Sequence, residues 1–204
     1  MGSQVRTNEV LCRFATVLAL ALAAPLSAVA QGTTPDSGGP ATGTAPSGAV
    51  TSGKVTYDSG SYDGQLKDGL PDGYGVFIFN SGNRYEGQFH NGVKEGRGRF
   101  NWTTGNWYDG DWKNDKRTGR GLFVWSNGDR YQGEWLDNQS SGWGLQIWAN
   151  GDRYEGEWLN DVAHGQGTKT TADGRSYTGT WSNGCLREGE RWSTAGATRE
   201  QCGF

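Results

Sequence analysis

Aliphatic side chains are scarce in this chain. Of its 204 residues only 33% are hydrophobic, methionine occurs once and proline five times. A core of interdigitated Leu, Ile and Val is therefore excluded, and rings must supply most of the buried area. Each ring covers about 150–250 Å², and tryptophan alone contributes 10 residues. Glycine contributes 35, which predicts rings lying flat on bare backbone. Low hydrophobicity also marks disorder, but disordered segments are poor in aromatics. That description fits only the stretch before residue 53.

Other absences restrict the function. Histidine occurs twice, as His90 and His164, and no zinc spacing, nucleophile elbow or phosphate-binding loop is found. The Gly-x-Gly pairs are not nucleotide loops, because no helix follows any of them. No catalytic residue, metal ligand or cofactor site is assigned, and the chain is read as non-enzymatic. Basic residues number 19 against 22 acidic, which leaves no patch to hold nucleic acid.

The first thirty residues read as an export signal. Arg6 and Arg13 form a basic start, with Glu9 the acidic exception. Phe14 to Ala24 is apolar, Pro25 breaks the run, and Ala28-Val29-Ala30 offers a small-x-small cleavage pattern before Gln31. That run is short of the roughly 20 residues a membrane span needs. An uncleaved anchor is the alternative. Arg6 stands where N-myristoylation wants Ser or Thr. The expected location is outside the cytoplasm, periplasmic or fully secreted. Without residues 1–30 the chain keeps 17 basic and 21 acidic side chains, a net charge of −4. Cys12 precedes the apolar run and is not placed as a lipoprotein cysteine. Cys185 and Cys202 remain, close enough in sequence to close a short disulfide loop in an oxidising compartment; two free thiols are the alternative.

Residues 31–52 hold Gly, Ser, Thr, Pro and Ala with one charge, Asp36, and read as a flexible tether. From Tyr62 a period of 23 runs without insertion or deletion. Tyrosine stands at 62, 85, 108, 131, 154 and 177, and glycine follows two places later each time. Two further on comes a large apolar residue: Leu66, Phe89, Trp112, Trp135, Trp158 and Trp181. Paired glycines such as Gly119/Gly121, aromatics at Phe79, Trp102, Trp125 and Trp148, and a turn glycine complete the unit. A fixed period of this kind is the mark of a repeat architecture.

Alternation with period two predicts strands. In Tyr154-Glu155-Gly156-Glu157-Trp158 the rings and glycine share one face and the carboxylates the other. In Gly119-Arg120-Gly121-Leu122-Phe123-Val124-Trp125 two glycines and two rings share a face. Ser126-Asn127-Gly128-Asp129 is turn chemistry. Each unit is a β-hairpin, marginal alone and stabilised by stacking. The expected fold is all-β, an elongated single-layer antiparallel hairpin array over residues 53–184. A half-unit at 53–61 caps its start, and residues 185–204 cap its end by covering the last open edge. About twelve strands at about 4.8 Å spacing make a sheet of roughly 55–60 Å.

Tyr154-Glu-Gly-Glu-Trp158, followed by His164-Gly165-Gln166-Gly167, resembles the MORN (membrane occupation and recognition nexus) repeat. Tyr85-Glu-Gly-Gln-Phe89 and Tyr131-Gln-Gly-Glu-Trp135 are close variants. The resemblance covers residues 62–184 and weakens in the sixth unit, where Thr178 and Thr180 replace the acidic pair. It implies a rod-like or curved single sheet that acts as a scaffold, dimerises or binds partner peptides in a groove. Phospholipid binding, proposed for some members, is disfavoured here by the net negative charge.

The carboxylate pairs Asp109/Asp111 and Glu155/Glu157 read as an exposed ladder with Arg84, Arg130 and Arg153. The aromatic face is the candidate site: Tyr85, Trp102, Tyr108, Trp112, Trp125, Tyr131, Trp135, Trp148, Tyr154 and Trp158. A single-layer sheet has no second layer to cover these rings, and exposed apolar patches mark binding surfaces. The expected partner is a protein or peptide, or a second copy of the chain. Cell-wall glycan, stacking on tryptophan, is the alternative.

Overall fold

The computed structural model describes residues 48–204. The expected export signal and nearly all of the expected tether lie outside the described residues. Among the described residues there are fourteen strands and no helix. The first six are β1 (Val50–Tyr57), β2 (Gly60–Lys67), β3 (Leu70–Phe79), β4 (Arg84–His90), β5 (Val93–Asn101) and β6 (Trp107–Lys113). They continue as β7 (Lys116–Val124), β8 (Arg130–Leu136), β9 (Gln139–Ile147), β10 (Arg153–Leu159), β11 (Val162–Thr170) and β12 (Ser176–Trp181). These twelve form one antiparallel meander in sequence order, and β13 (Cys185–Glu188) and β14 (Arg191–Thr194) form a separate pair. The strand β1 begins at Val50, inside the stretch expected to be tether.

A line of glycines organises the sheet. Gly53 faces Gly64, and the pairing continues through Gly75, Gly87, Gly98, Gly110, Gly121, Gly133, Gly144, Gly156 and Gly167 to Gly179. The tyrosines lie on this line. A methyl group at Gly98 would strike the Tyr85 ring, and one at Gly121 the Tyr108 ring. The hydroxyls of Tyr62, Tyr85, Tyr108, Tyr131 and Tyr154 each donate three residues on, Tyr62 to the Gln65 carbonyl at 2.7 Å and Tyr154 to the Glu157 carbonyl at 3.0 Å. Glycine weakens a strand unless something must approach the backbone closely, and the tyrosine ring is that group.

The tryptophans fasten one unit to the next. Trp112 Nε1 donates to the Gly98 carbonyl at 2.9 Å, and Trp181 Nε1 to the Gly167 carbonyl at 3.0 Å. The Trp158 ring stands edge-on between Tyr131 and Tyr154, with centroids 5.3 and 5.1 Å away. Edge-to-face contacts of this kind add about 0.5–1.5 kcal/mol beyond area burial. The hairpins inside each unit close with two residues at positive φ, such as Asn114 (48°) and Asp115 (65°). That geometry matches the right-handed twist of the flanking strands.

One expectation needs correction. The first glycine of each pair does not share the aromatic face. Gly73, Gly96, Gly119, Gly142 and Gly165 all have positive φ, and the register shifts beside them, as between Gly110 and Asp111. This bulge turns each of them toward the opposite side chain, which for Gly119 is Asp111 and for Gly165 Glu157. The C-terminal segment adds no further strand to the main sheet. It folds over the aromatic face of the last strands instead. Leu186 is buried against Gly179, and Lys169 Nζ donates to the Thr194 carbonyl at 2.9 Å. A disulfide joins Cys185 to Cys202.

Candidate binding groove

The rings proposed from sequence fall into two groups. Tyr85, Tyr108, Tyr131, Tyr154, Trp112, Trp135 and Trp158 are all buried, none more than 5% exposed. They are the core of the array, and the tyrosine-on-glycine packing leaves almost none of their surface to a partner. Burial also pushes the tyrosine hydroxyls upward in pKa, Tyr62 to about 12. Trp102, Trp125 and Trp148 are only half-buried.

Those three recur one repeat apart along one margin of the aromatic face. Trp102 and Trp125 belong to a ladder of rings, Phe77–Phe79–Phe100–Trp102–Phe123–Trp125, with neighbouring centroids 4.4 to 5.6 Å apart. The ladder stops there. Gln146 occupies the next phenylalanine place and Lys169 the one after. Gln146 is buried, and its Nε2 donates to the Ile147 carbonyl at 3.4 Å. Lys169 pairs with Asp152 at 3.3 Å and lies 5.3 Å from the Trp148 ring centroid.

Gln146 borders a cleft of about 480 Å³. Trp102, Trp125 and Trp148 line it together with Arg117, Ser140 and Gln146, and Gly196 of the C-terminal segment borders it. The Arg117 guanidinium lies 4.4 Å from the Trp135 centroid and 5.0 Å from that of Phe123. Burial lowers its pKa from the ordinary arginine value, though an arginine stays charged in proteins. Sequence reasoning missed Arg117 because it was sought among rings. Comparing the residue facing Leu66, Phe89, Trp112, Trp135 and Trp158 in turn (Pro71, Lys94, Arg117, Ser140, Ala163) is the signal that finds it.

The acidic pairs have two roles, where the sequence suggested one exposed ladder. Asp111 Oδ2 accepts from Arg120 N at 2.9 Å and Glu157 Oε1 from Gln166 N at 2.8 Å, so these carboxylates brace the bulges. Glu86 pairs with Arg84 at 2.6 Å on the same strand, and its carboxyl is held below the ordinary value by hydrogen bonds from Tyr74 and then Arg84. His90 contacts Asp72 at 3.1 Å, and His164 Nδ1 is buried without a partner. Among the described residues no group of three or more His, Cys, Asp or Glu side chains is placed to hold a metal ion.

A profile of the MORN repeat matches residues 62–84, 85–107, 108–130, 131–153 and 154–174, more than half of the chain. The chain belongs to the MORN repeat family. The matched blocks coincide with the units between successive tyrosines, and the profile stops before the sixth, of which only β12 is built into the sheet. MORN repeats are non-catalytic scaffold modules that mediate interactions. No curated protein matches the sequence.

Proposed function

We propose that this MORN protein is an exported, non-catalytic scaffold that holds an extended peptide segment of a protein partner in the cleft over Trp125 and Trp148. The half-open row of Trp102, Trp125 and Trp148 carries this reading, because Trp112, Trp135, Trp158 and the tyrosines between them are committed to packing. One repeat spans two strands, so successive platforms lie about 9.6 Å apart. A polyproline II segment repeats every three residues, or about 9.3 Å. A proline-containing chain laid across the strands would thus offer the same face to each ring, as in other aromatic-lined grooves. Export rests on the character of residues 1–30. The bond between Cys185 and Cys202 supports it, since disulfides persist in oxidising compartments.

Two measurements test the reading. Light scattering of the mature chain gives its mass, and a stable dimer would mean that a second copy fills the cleft. For a monomer, proline-containing peptides are expected to shield Trp125 and Trp148 from acrylamide quenching, and Trp125→Ala to abolish binding while the fold survives. Shielding by soluble wall oligosaccharides, with none by peptides, would overturn the peptide reading in favour of carbohydrate.

A further inference from the structure

One row of this face repeats a contact in three of its five units. There the residue facing the large apolar side chain donates its backbone N–H to the side chain of the turn residue twenty-one places on. Lys94 N donates to Asp115 Oδ1 at 3.0 Å, and Ser140 N to Asp161 Oδ1 at 2.7 Å. Arg117 N donates to Asn138 Oδ1 at 2.9 Å. Where the residue cannot donate, the acceptor is missing too: Pro71 has no N–H, and its counterpart is Gly92. Ala163 faces Gly184 in this series and donates instead to the Ala195 carbonyl at 3.1 Å.

For the two cations in the row, the turn residue also decides the charge balance. Lys94 Nζ meets the same Asp115 carboxylate at 2.7 Å and is neutralised. Arg117 meets an amide, which serves the backbone equally well but carries no charge. Among the described residues no carboxylate lies within ion-pair distance of the Arg117 guanidinium. One of its five N–H groups is engaged, Nη2 donating to the Asn138 carbonyl at 2.6 Å. The group rests on Trp135 and Phe123 and lines the cleft.

We propose that Arg117 is a carboxylate-recognition site, taking an Asp or Glu side chain of the peptide whose apolar residues rest on Trp125 and Trp148. This rests on the peptide reading of the cleft. A guanidinium offers two parallel N–H groups to a carboxylate, a charge-assisted arrangement roughly twice as strong as a neutral hydrogen bond. The cleft limits the charge it accepts. Asp129 and Asp161 also line it, with Asp129 Oδ1 accepting from Ala149 N at 2.7 Å and Asp161 Oδ1 from Ser140 N and Oγ. These carboxylates repel any anionic group that does not reach the guanidinium, so a carboxylate is held only where it pairs with Arg117 itself.

The test uses two displayed nonapeptide libraries rich in proline, identical except for a fixed central Glu in one and Gln in the other. They are selected on the intact chain and on Asn138→Asp and Arg117→Gln. Asn138→Asp restores the acid found at Asp115, keeps the acceptor for Arg117 N, and places a counter-ion on the guanidinium. Thermal melting confirms its fold. The wild-type chain is expected to bind Glu peptides about tenfold tighter than their Gln twins, or about 1.4 kcal/mol. That ratio is expected to fall to near unity in both variants. Equal binding of Glu and Gln peptides by the wild type would overturn the carboxylate site and leave the peptide groove standing. A Glu preference that survives both substitutions would overturn it as well, by locating the carboxylate elsewhere. Failure of the wild type to bind any peptide would remove the peptide groove and this site together.

Discussion

The Tyr131 ring lies on Gly144, and its hydroxyl donates to the Glu134 carbonyl at 3.0 Å. A methyl group at residue 144 has no space unless the ring moves. Gly144→Ala is expected to cost about 1–3 kcal/mol, read as a lower urea midpoint. At Gly53, on the first strand of the same glycine line, the nearest atom to an added methyl is Leu66 Cδ1 at 3.8 Å. Gly53→Ala is expected to stay within about 0.5 kcal/mol. Equal effects at the two positions would refute the ring-on-backbone account.

Alkaline pH is expected to unfold the array. Tyr62 is pushed up to about 12, first by burial and then by the charges of Tyr57, Asp72 and Asp63. Tyr85, Tyr108, Tyr131 and Tyr154 are raised as well, with burial the first cause in each. The native state thus holds protons that the unfolded chain releases above about pH 10. Their contribution is fully present below that pH and is lost as pH rises toward and through the folded values. Urea midpoints should fall steeply above about pH 10, and the phenolate absorbance of the five buried tyrosines should appear with unfolding, not before it.

Glu157 and Glu155 stand two apart on one strand and should respond differently. Glu157 accepts the Gln166 N–H at the bulge, so Glu157→Ala is expected to cost about 1 kcal/mol. Glu155 is exposed, and Glu155→Lys is expected to change stability by no more than about 0.5 kcal/mol. Chemical denaturation of the two variants checks both values.

Reducing the disulfide should loosen the C-terminal end selectively. Opening the loop between Cys185 and Cys202 is expected to remove up to about 3 kcal/mol from the segment it restrains. Hydrogen exchange at the Ala163 and Gly184 amides, which bond to Ala195 O and Ala163 O, should quicken under reductant. The amides around Tyr108 should not change. Uniform quickening would mean that the end segment supports the whole array.

The repeat, the all-β class and the ring-bearing face were legible in the sequence because strand alternation and an exact 23-residue period leave little freedom. The bulge was not. Alternation alone placed Gly119 and Gly121 on one face, whereas the positive φ at Gly119 and the register shift by Asp111 separate them. The candidate site was half legible. Trp102, Trp125 and Trp148 were chosen with the tyrosines, but which rings stay open depends on Tyr–Gly contact across strands. Arg117 lay hidden because its distinction is an absent charge, which appears only when Asn138 is set against Asp115.

The unbroken line of glycines has a consequence for chain length. Each strand of the meander is hydrogen-bonded only to its neighbours in sequence, and each glycine faces another across every boundary. Excising one block, from one tyrosine to just before the next, would rejoin equivalent strands with ring still upon glycine. Duplicating a block would do the same. Such a sheet is a ruler whose divisions can be added or removed without refiguring the rest, and the spacing of whatever lies along Trp102, Trp125 and Trp148 is graduated by it.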